Sequence, residues 1–252
     1  MRFTILGSGS KGNATLVEHG NTRVLIDCGF SVVEMERRLS RVACSAHGID
    51  ALLLTHEHGD HVRGAGAFSR KYGIPVYLTH GTGRALGGCD AKSLCYISSD
   101  ARFAVKDIEV QAFAVPHDAN EPCQYVLSDG ASRIGMLSDT GKLTPHVVAQ
   151  LHGCEALLLE SNHDLDMLLA SAYPASLKRR ISGGFGHLNN DQAGDLLRQL
   201  DCSRLSHIVA IHLSESNNHP DHVTAGFSAA LDCTADWVAV ADQDRGLAWR
   251  AV

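Results

Sequence analysis

Three imidazoles and a carboxylate crowd into the six residues His56-Glu57-His58-Gly59-Asp60-His61. His56, His58, Asp60 and His61 held this close together would repel one another and lose solvation unless a cation lay among them. His56 and His58, two residues apart, can face one ion while Asp60 and His61 turn toward another, with Gly59 allowing the tight backbone between the pairs. A mixed nitrogen and oxygen set suits zinc or manganese, and iron also occupies such sites. No cysteine falls at a ligand position to favour a softer ion.

A rigid scaffold is needed to aim such groups at a shared point, and the sequence supplies one. Four apolar runs end in a metal-binding residue type: Leu52-Leu53-Leu54-Thr55 leads into His56, Phe113-Ala114-Val115-Pro116 into His117, Gly135-Met136-Leu137-Ser138 into Asp139, and Ile208-Val209-Ala210-Ile211 into His212. Each places an imidazole or carboxylate where a strand emerges into a loop. Apolar patterning predicts strands over 4–6, 15–18 and 23–27, an N-terminal meander, then 51–55, 75–79, 108–115, 124–128, 133–137, 156–159, 208–211 and 237–240. Helical patterns cover 32–39, 62–72, 145–151, 165–169, 174–181, 191–200 and 221–231, with Pro174 in a first turn and Asn190 as an N-cap. A β-rich first half and a βα-like second half without a Pro/Ser-rich linker predict layered sheets covered by helices in one domain.

The pattern His-x-His-x-Asp-His, followed by a separate His117, Asp139 and His212, resembles the metallo-β-lactamase superfamily from Met1 to about Trp249. The resemblance implies an α/β fold: an αββα sandwich of two mixed β-sheets packed face to face with helices outside, formed by residues 1–252 as a single domain. It implies a first metal on His56, His58 and His117, a second on Asp60, His61 and His212, and Asp139 bridging both. Asp27 matches the family's aspartate that steadies the ligand loop.

Four further motifs look like the YycJ/WalJ group: 7–15 (GSGSKGNAT), 115–119 (VPHDA), 160–164 (ESNHD) and 212–218 (HLSESNN). That group comprises DNA exonuclease-like phosphodiesterases related to the RNase Z and β-CASP nucleases. Similarity to RNase Z-like enzymes implies that Glu160 and His187 form a proton-donating pair. Asn189 stands where the group usually shows Ser. The implied chemistry is phosphodiester cleavage by a hydroxide activated by two divalent metals (zinc or manganese, with iron as a third option) and oriented by Asp60 and Asp139. Its substrate is nucleic acid, DNA ahead of RNA, or a small phosphodiester.

Composition narrows this. The net charge of −6, from 22 basic and 28 acidic residues, argues against a broad basic face for non-specific nucleic-acid binding. A local positive groove remains compatible with it. Eight cysteines form no Cys-x-x-Cys pair and read as core residues of a reducing compartment. Neither a signal peptide nor a membrane span is legible, so a cytoplasmic protein is expected. His19, His80 and His146, each isolated in sequence, read as ordinary surface or core residues.

Two other functions are carried: a small-molecule hydrolase acting on a cyclic phosphodiester or a thioester, and a non-catalytic metal-binding regulatory protein. The absence of a separate C-terminal helical domain argues against the thioesterase form. No long tRNA-binding insertion is evident, though a short arm fits between Leu78 and Ile97. Oligomeric state is not legible.

Overall fold

The computed structural model describes residues 1–86 and 94–252. One sheet contains β1 (Arg2–Gly7), β2 (Ala14–His19), β3 (Thr22–Ile26), β4 (Ala51–Leu53), β5 (Val76–Thr79) and β6 (Leu94–Ile97). The other contains β7 (Arg102–Val105), β8 (Ile108–Ala114), β9 (Cys123–Ser128), β10 (Arg133–Leu137), β11 (Ala156–Glu160), β12 (His207–Ile211) and β13 (Val238–Val240). The chain then returns to the first sheet, where β14 (Leu247–Ala251) pairs with β1, so both sheets have seven strands. The helices are α1 (Val32–Arg41), α2 (Gly59–Val62), α3 (Ala65–Tyr72), α4 (His80–Ala85), α5 (Pro145–Leu151), α6 (Leu165–Ala170), α7 (Ala175–Ile181), α8 (Asn190–Gln199) and α9 (Pro220–Leu231).

Both sheets are mixed, as expected. β1, β2 and β3 form the antiparallel meander, and β3 to β6 run parallel. In the second sheet β7 to β10 are antiparallel and β10 to β13 parallel. The switch follows from the connections: short turns allow antiparallel neighbours, whereas parallel neighbours need a crossover, and helices supply it.

Side-chain alternation builds the layers. On β12, Val209 and Ile211 face a core between the sheets that also contains Phe3, Ile5, Val24, Ile26, Val110, Tyr125 and Leu158. Ile208 and Ala210 point the other way, onto Val147, Leu151, Leu196, Leu197, Val223 and Phe227 of α5, α8 and α9. On the first sheet, Leu16, Leu25, Leu52 and Leu54 pack outward against Met35 and Leu39 of α1 and Phe68 of α3. Strands buried on both faces explain why the runs before His56 and His212 are continuously apolar rather than alternating. Each such side chain contributes about 1.5–3 kcal/mol by leaving water. The result is the αββα sandwich.

Several local expectations change. β6, β7 and β14 were not legible in the sequence: β6 and β14 are short edge strands with no fully buried residue, and β7 has only one buried residue. The helix expected over 62–72 is two pieces, α2 and α3, broken at Gly64, where any Cβ would collide with the Phe30 carbonyl. Pro174 is the N-cap of α7 rather than a first-turn residue. The N-cap of α8 is Asn189, not Asn190, in a capping box with Gln192. Asn caps as well as Ser does, so the departure at Asn189 preserves the role.

Between Leu78 and Ile97 the chain forms the end of β5, α4 and β6, and residues 87–93 of the expected short arm lie outside the described ones. Cys28, Cys123 and Cys154 are buried free thiols; Cys44, Cys95, Cys202 and Cys233 are only half-buried, and Cys89 lies outside the described residues. Among the described residues no helix is long and apolar enough to cross a membrane.

Candidate metal centre

β9 is antiparallel to both β8 and β10, and β11 and β12 are parallel to β10. Strands β8, β10, β11 and β12 therefore deliver their carboxyl ends to one rim, which carries His117, Asp139, Glu160 and His212. The 56–61 loop reaches the same rim from β4 of the opposite sheet. Asp27, Asp139 and His212, each one or two residues past a strand, have φ of 61°, 50° and 56°. This left-handed conformation costs on the order of 1–3 kcal/mol for a residue with a side chain. Asp and His tolerate it better than most.

Three imidazoles meet on one side of the rim. His56, His58 and His117 each offer a donor atom, all within 4.8 Å of one another. The tautomers follow from the partners. His56 Nδ1 donates to Thr55 Oγ1 at 3.0 Å, and that hydroxyl donates in turn to Asp27. His56 Nε2 is left buried with no hydrogen-bond partner among the described residues. His117 Nδ1 donates to the Gly186 carbonyl at 3.0 Å, which leaves Nε2 facing His58 Nδ1 at 3.2 Å. Burial, with neighbouring imidazoles, pushes the His56 pKa well below its usual value. The ring therefore stays neutral and its lone pair available.

On the other side, Asp60, His61 and His212 form a second group of convergent donors. His61 Nδ1 donates to Asp27 Oδ2 at 2.8 Å, and His61 Nε2 lies 3.2 Å from Asp139 Oδ2 and 3.4 Å from Asp60 Oδ2. His212 Nε2 is 3.4 Å from Asp60 Oδ2. Burial opposes a charge on His212, but Asp139, Asp60 and Glu160 overcome it and push the pKa up to about 10. Burial likewise opposes ionisation of Asp60, yet hydrogen bonds from His212 and His61 hold it well below the carboxylate range.

Asp139 faces both groups: Oδ2 toward His61, and Oδ1 at 3.9 Å from His117 Nε2 and 3.5 Å from His212 Nδ1. A buried imidazole nitrogen without a partner, set among oriented nitrogen and carboxylate donors, fits a divalent metal.

Glu160 and His187 are paired, Oε1 accepting from His187 Nδ1 at 2.8 Å. Glu160 Oε1 also accepts from His212 Nδ1 at 3.1 Å, and Oε2 accepts from the Thr140 and Leu188 amides. Burial works to raise the Glu160 pKa, but the imidazoles hold it at about 2. Burial opposes protonation of His187, and Glu160 and Asp139 reverse the balance, raising its pKa above the usual value.

All nine residues picked out for metal binding or catalysis meet at this rim. Sequence reasoning missed their supports: Thr55; Asn13, whose Nδ2 lies 3.1 Å from His61 Nε2; Ser8, whose hydroxyl accepts from the His212 amide; and the Gly186 carbonyl. It also misjudged Gly59, where a Cβ would meet nothing within 4 Å. The glycine that matters is Gly29, whose Cβ would collide with the Asp60 carbonyl.

The site opens into a groove of about 340 Å³ lined by Ser10, His58, Asp60, Asp139, Arg180, His187 and His212. Arg180 Nε donates to Asp118 Oδ2 at 2.6 Å, and Asp118 Oδ1 lies 3.4 Å from His117 Nε2.

Two mixed sheets face to face, with imidazoles and carboxylates gathered at the strand ends, define the metallo-β-lactamase class of fold. The family model for the β-lactamase superfamily domain matches residues 22–213. The exodeoxyribonuclease YycJ of Bacillus anthracis is 32% identical over 238 residues, covering 92% of this chain and 89% of that protein. Among solved structures, the metallo-β-lactamase fold protein YhfI from Bacillus subtilis superposes with a TM-score of 0.76 at 15% identity, covering 99% of both chains. Zinc-bound PqqB from Methylobacterium extorquens gives 0.74 at 18% identity over the whole of both chains. The chain belongs to the β-lactamase superfamily, in the family that includes YycJ.

Proposed function

We propose that the chain is a metal-dependent phosphodiesterase acting on nucleic acid, DNA ahead of RNA, in the manner of an exonuclease. In this reading His56, His58 and His117 would hold one divalent ion and Asp60, His61 and His212 a second, with Asp139 available to both groups. Zinc and manganese suit the donor set, with iron a third option. The observation that carries the reading is the position of Asp139, one carboxylate facing both donor groups within 3.9 Å. The similarity to an exodeoxyribonuclease over most of the chain supports the substrate class.

When bound, the ions supply Lewis acidity and bring the pKa of a water toward neutrality. Asp60 and Asp139 orient the attacking water. Glu160 fixes His187 through Nδ1 and favours its protonated form, so the other ring nitrogen is free to give a proton to the leaving oxygen. Arg180 at the groove wall offers positive charge to the phosphate.

A second reading, hydrolysis of a small phosphodiester, is favoured by the groove's volume of about 340 Å³. Incubating the manganese-loaded protein with end-labelled single- and double-stranded DNA and RNA separates the two. Stepwise products from one DNA end are expected. Hydrolysis of bis-p-nitrophenyl phosphate with no polymer cleaved would transfer the assignment to small diesters, and inactivity toward all of them would remove the phosphodiesterase reading. Asp139→Ala is expected to lose both activity and bound metal.

A further inference from the structure

The loop that follows α7 presents an aromatic ring to water beside the metal centre. Phe185 is 60% exposed, yet its backbone is fixed. Its carbonyl accepts from the Asp118 amide at 3.0 Å, and the next carbonyl, that of Gly186, holds His117. Beneath the loop, Gly141 packs so closely that a Cβ there would collide with the backbone of Gly184 and Phe185. The backbone that carries the ring is thus fixed, while the ring itself adds little to the core.

Its surroundings hold cations and one carboxylate, that of Asp118, which accepts from Arg180 Nε. Lys142 Nζ lies 5.6 Å from the Phe185 ring centroid. On α7, Lys178, Arg179 and Arg180 follow one another, and Arg180 is the only Lys or Arg among the described residues lining the groove. An exposed aromatic on a fixed backbone, with adjacent cations, is the equipment that grips an unpaired nucleotide: a π-face for the base and positive charge for its phosphate.

We propose that Phe185, together with Lys142 and Arg180, seats the nucleotide next to the scissile bond, the ring stacking on an unpaired base while the Arg180 guanidinium takes the adjoining phosphate. The inference rests on the nuclease reading and narrows it to a strand end whose last base is unpaired, because inside a duplex both faces of a base are covered by its neighbours and only a free base can settle fully on such a ring.

The test uses the full manganese-loaded chain and end-labelled single-stranded oligothymidylate. Phe185→Ala raises KM on the order of tenfold, and Phe185→Trp restores it. An oligonucleotide carrying an abasic residue at its degraded end costs the unaltered protein a similar factor and costs Phe185→Ala nothing further. Arg180→Gln raises KM for both oligonucleotides alike and reduces the dependence of log KM on log salt by about one. An unchanged KM in Phe185→Ala, or an abasic penalty that persists in full in that variant, overturns the platform and leaves the nuclease reading standing. Failure of the unaltered protein to bind or cleave single strands while it still degrades duplex DNA overturns the platform alone, and failure on single strands and duplex alike overturns both.

Discussion

At the residue scale, Glu160 couples the two halves of the centre. Its Oε1 accepts from Nδ1 of both His187 and His212, while Oε2 takes two backbone amides. A glutamine at this position keeps the size but loses the charge and offers one acceptor atom instead of two. Glu160→Gln is therefore expected to weaken binding of the ion at Asp60, His61 and His212 by about 10–100-fold and to lower turnover. His187→Ala should lower turnover by about 10²–10⁴-fold with metal content retained. Metal analysis beside single-turnover rates checks both, and full metal occupancy with full turnover in Glu160→Gln would remove the coupling role. Similarity to RNase Z-like enzymes made Glu160 and His187 legible as a pair but not the third partner. It is the parallel register, with Glu160 opposite Ile211, that brings His212 alongside. Asn13 and Thr55 were illegible for a different reason: a lone Asn or Thr in a loop has no spacing to mark it.

At the element scale, the glycine loop that supports His212 through Ser8 is itself anchored by α1. Arg38 is 3% exposed and donates to the Leu6 carbonyl at 2.7 Å and the Gln243 carbonyl at 2.9 Å. Its guanidinium lies 3.8 Å over the Phe30 ring, and its Nε donates to Glu34 at 2.6 Å. Arg38→Ala removes the side-chain donor to the buried Gln243 carbonyl and leaves the Leu6 carbonyl with only Arg41 at 3.5 Å, so a loss of about 1–3 kcal/mol is expected in urea unfolding. Hydrogen bonds from Arg37, with Arg38 beside it, hold the Glu34 pKa at about 2 against an ordinary 4.5. A carboxyl depressed by folding stabilises above its unfolded pKa and loses that contribution as pH falls through the folded one. The stability gap between the unaltered protein and Glu34→Gln should thus be full at neutral pH and close between about 4.5 and 2. Parallel pH profiles would show that the pair does not matter. The strands that carry the site were legible because burial on both faces leaves unbroken apolar runs. The edge strands β6 and β14 were harder to read, since each is only four or five residues long and half-buried at best.

At the scale of the whole molecule, the donors come from both sheets: the 56–61 loop follows β4 of one, and His117, Asp139 and His212 follow β8, β10 and β12 of the other. Ions held among them would tie the sheets together at the rim, in addition to the shared core that runs from Phe3 and Ile26 to Tyr125 and Val209. We propose that the chain is one folding unit whose stability is linked to its metals. A ligand bound at about a thousand times its Kd stabilises the folded state by about 4 kcal/mol, and in a chain of this length each kcal/mol moves Tm by about 2–4 °C. Chelation should therefore lower the midpoint by about 8–16 °C and leave one cooperative transition, because the core between the sheets does not depend on the ions. Asp139→Ala should melt near the chelated protein and respond little to chelator. Calorimetry with and without chelator decides the matter: two resolved transitions would divide the chain into separate units, and an unmoved midpoint in the metal-loaded protein would mean that no ion bridges the sheets.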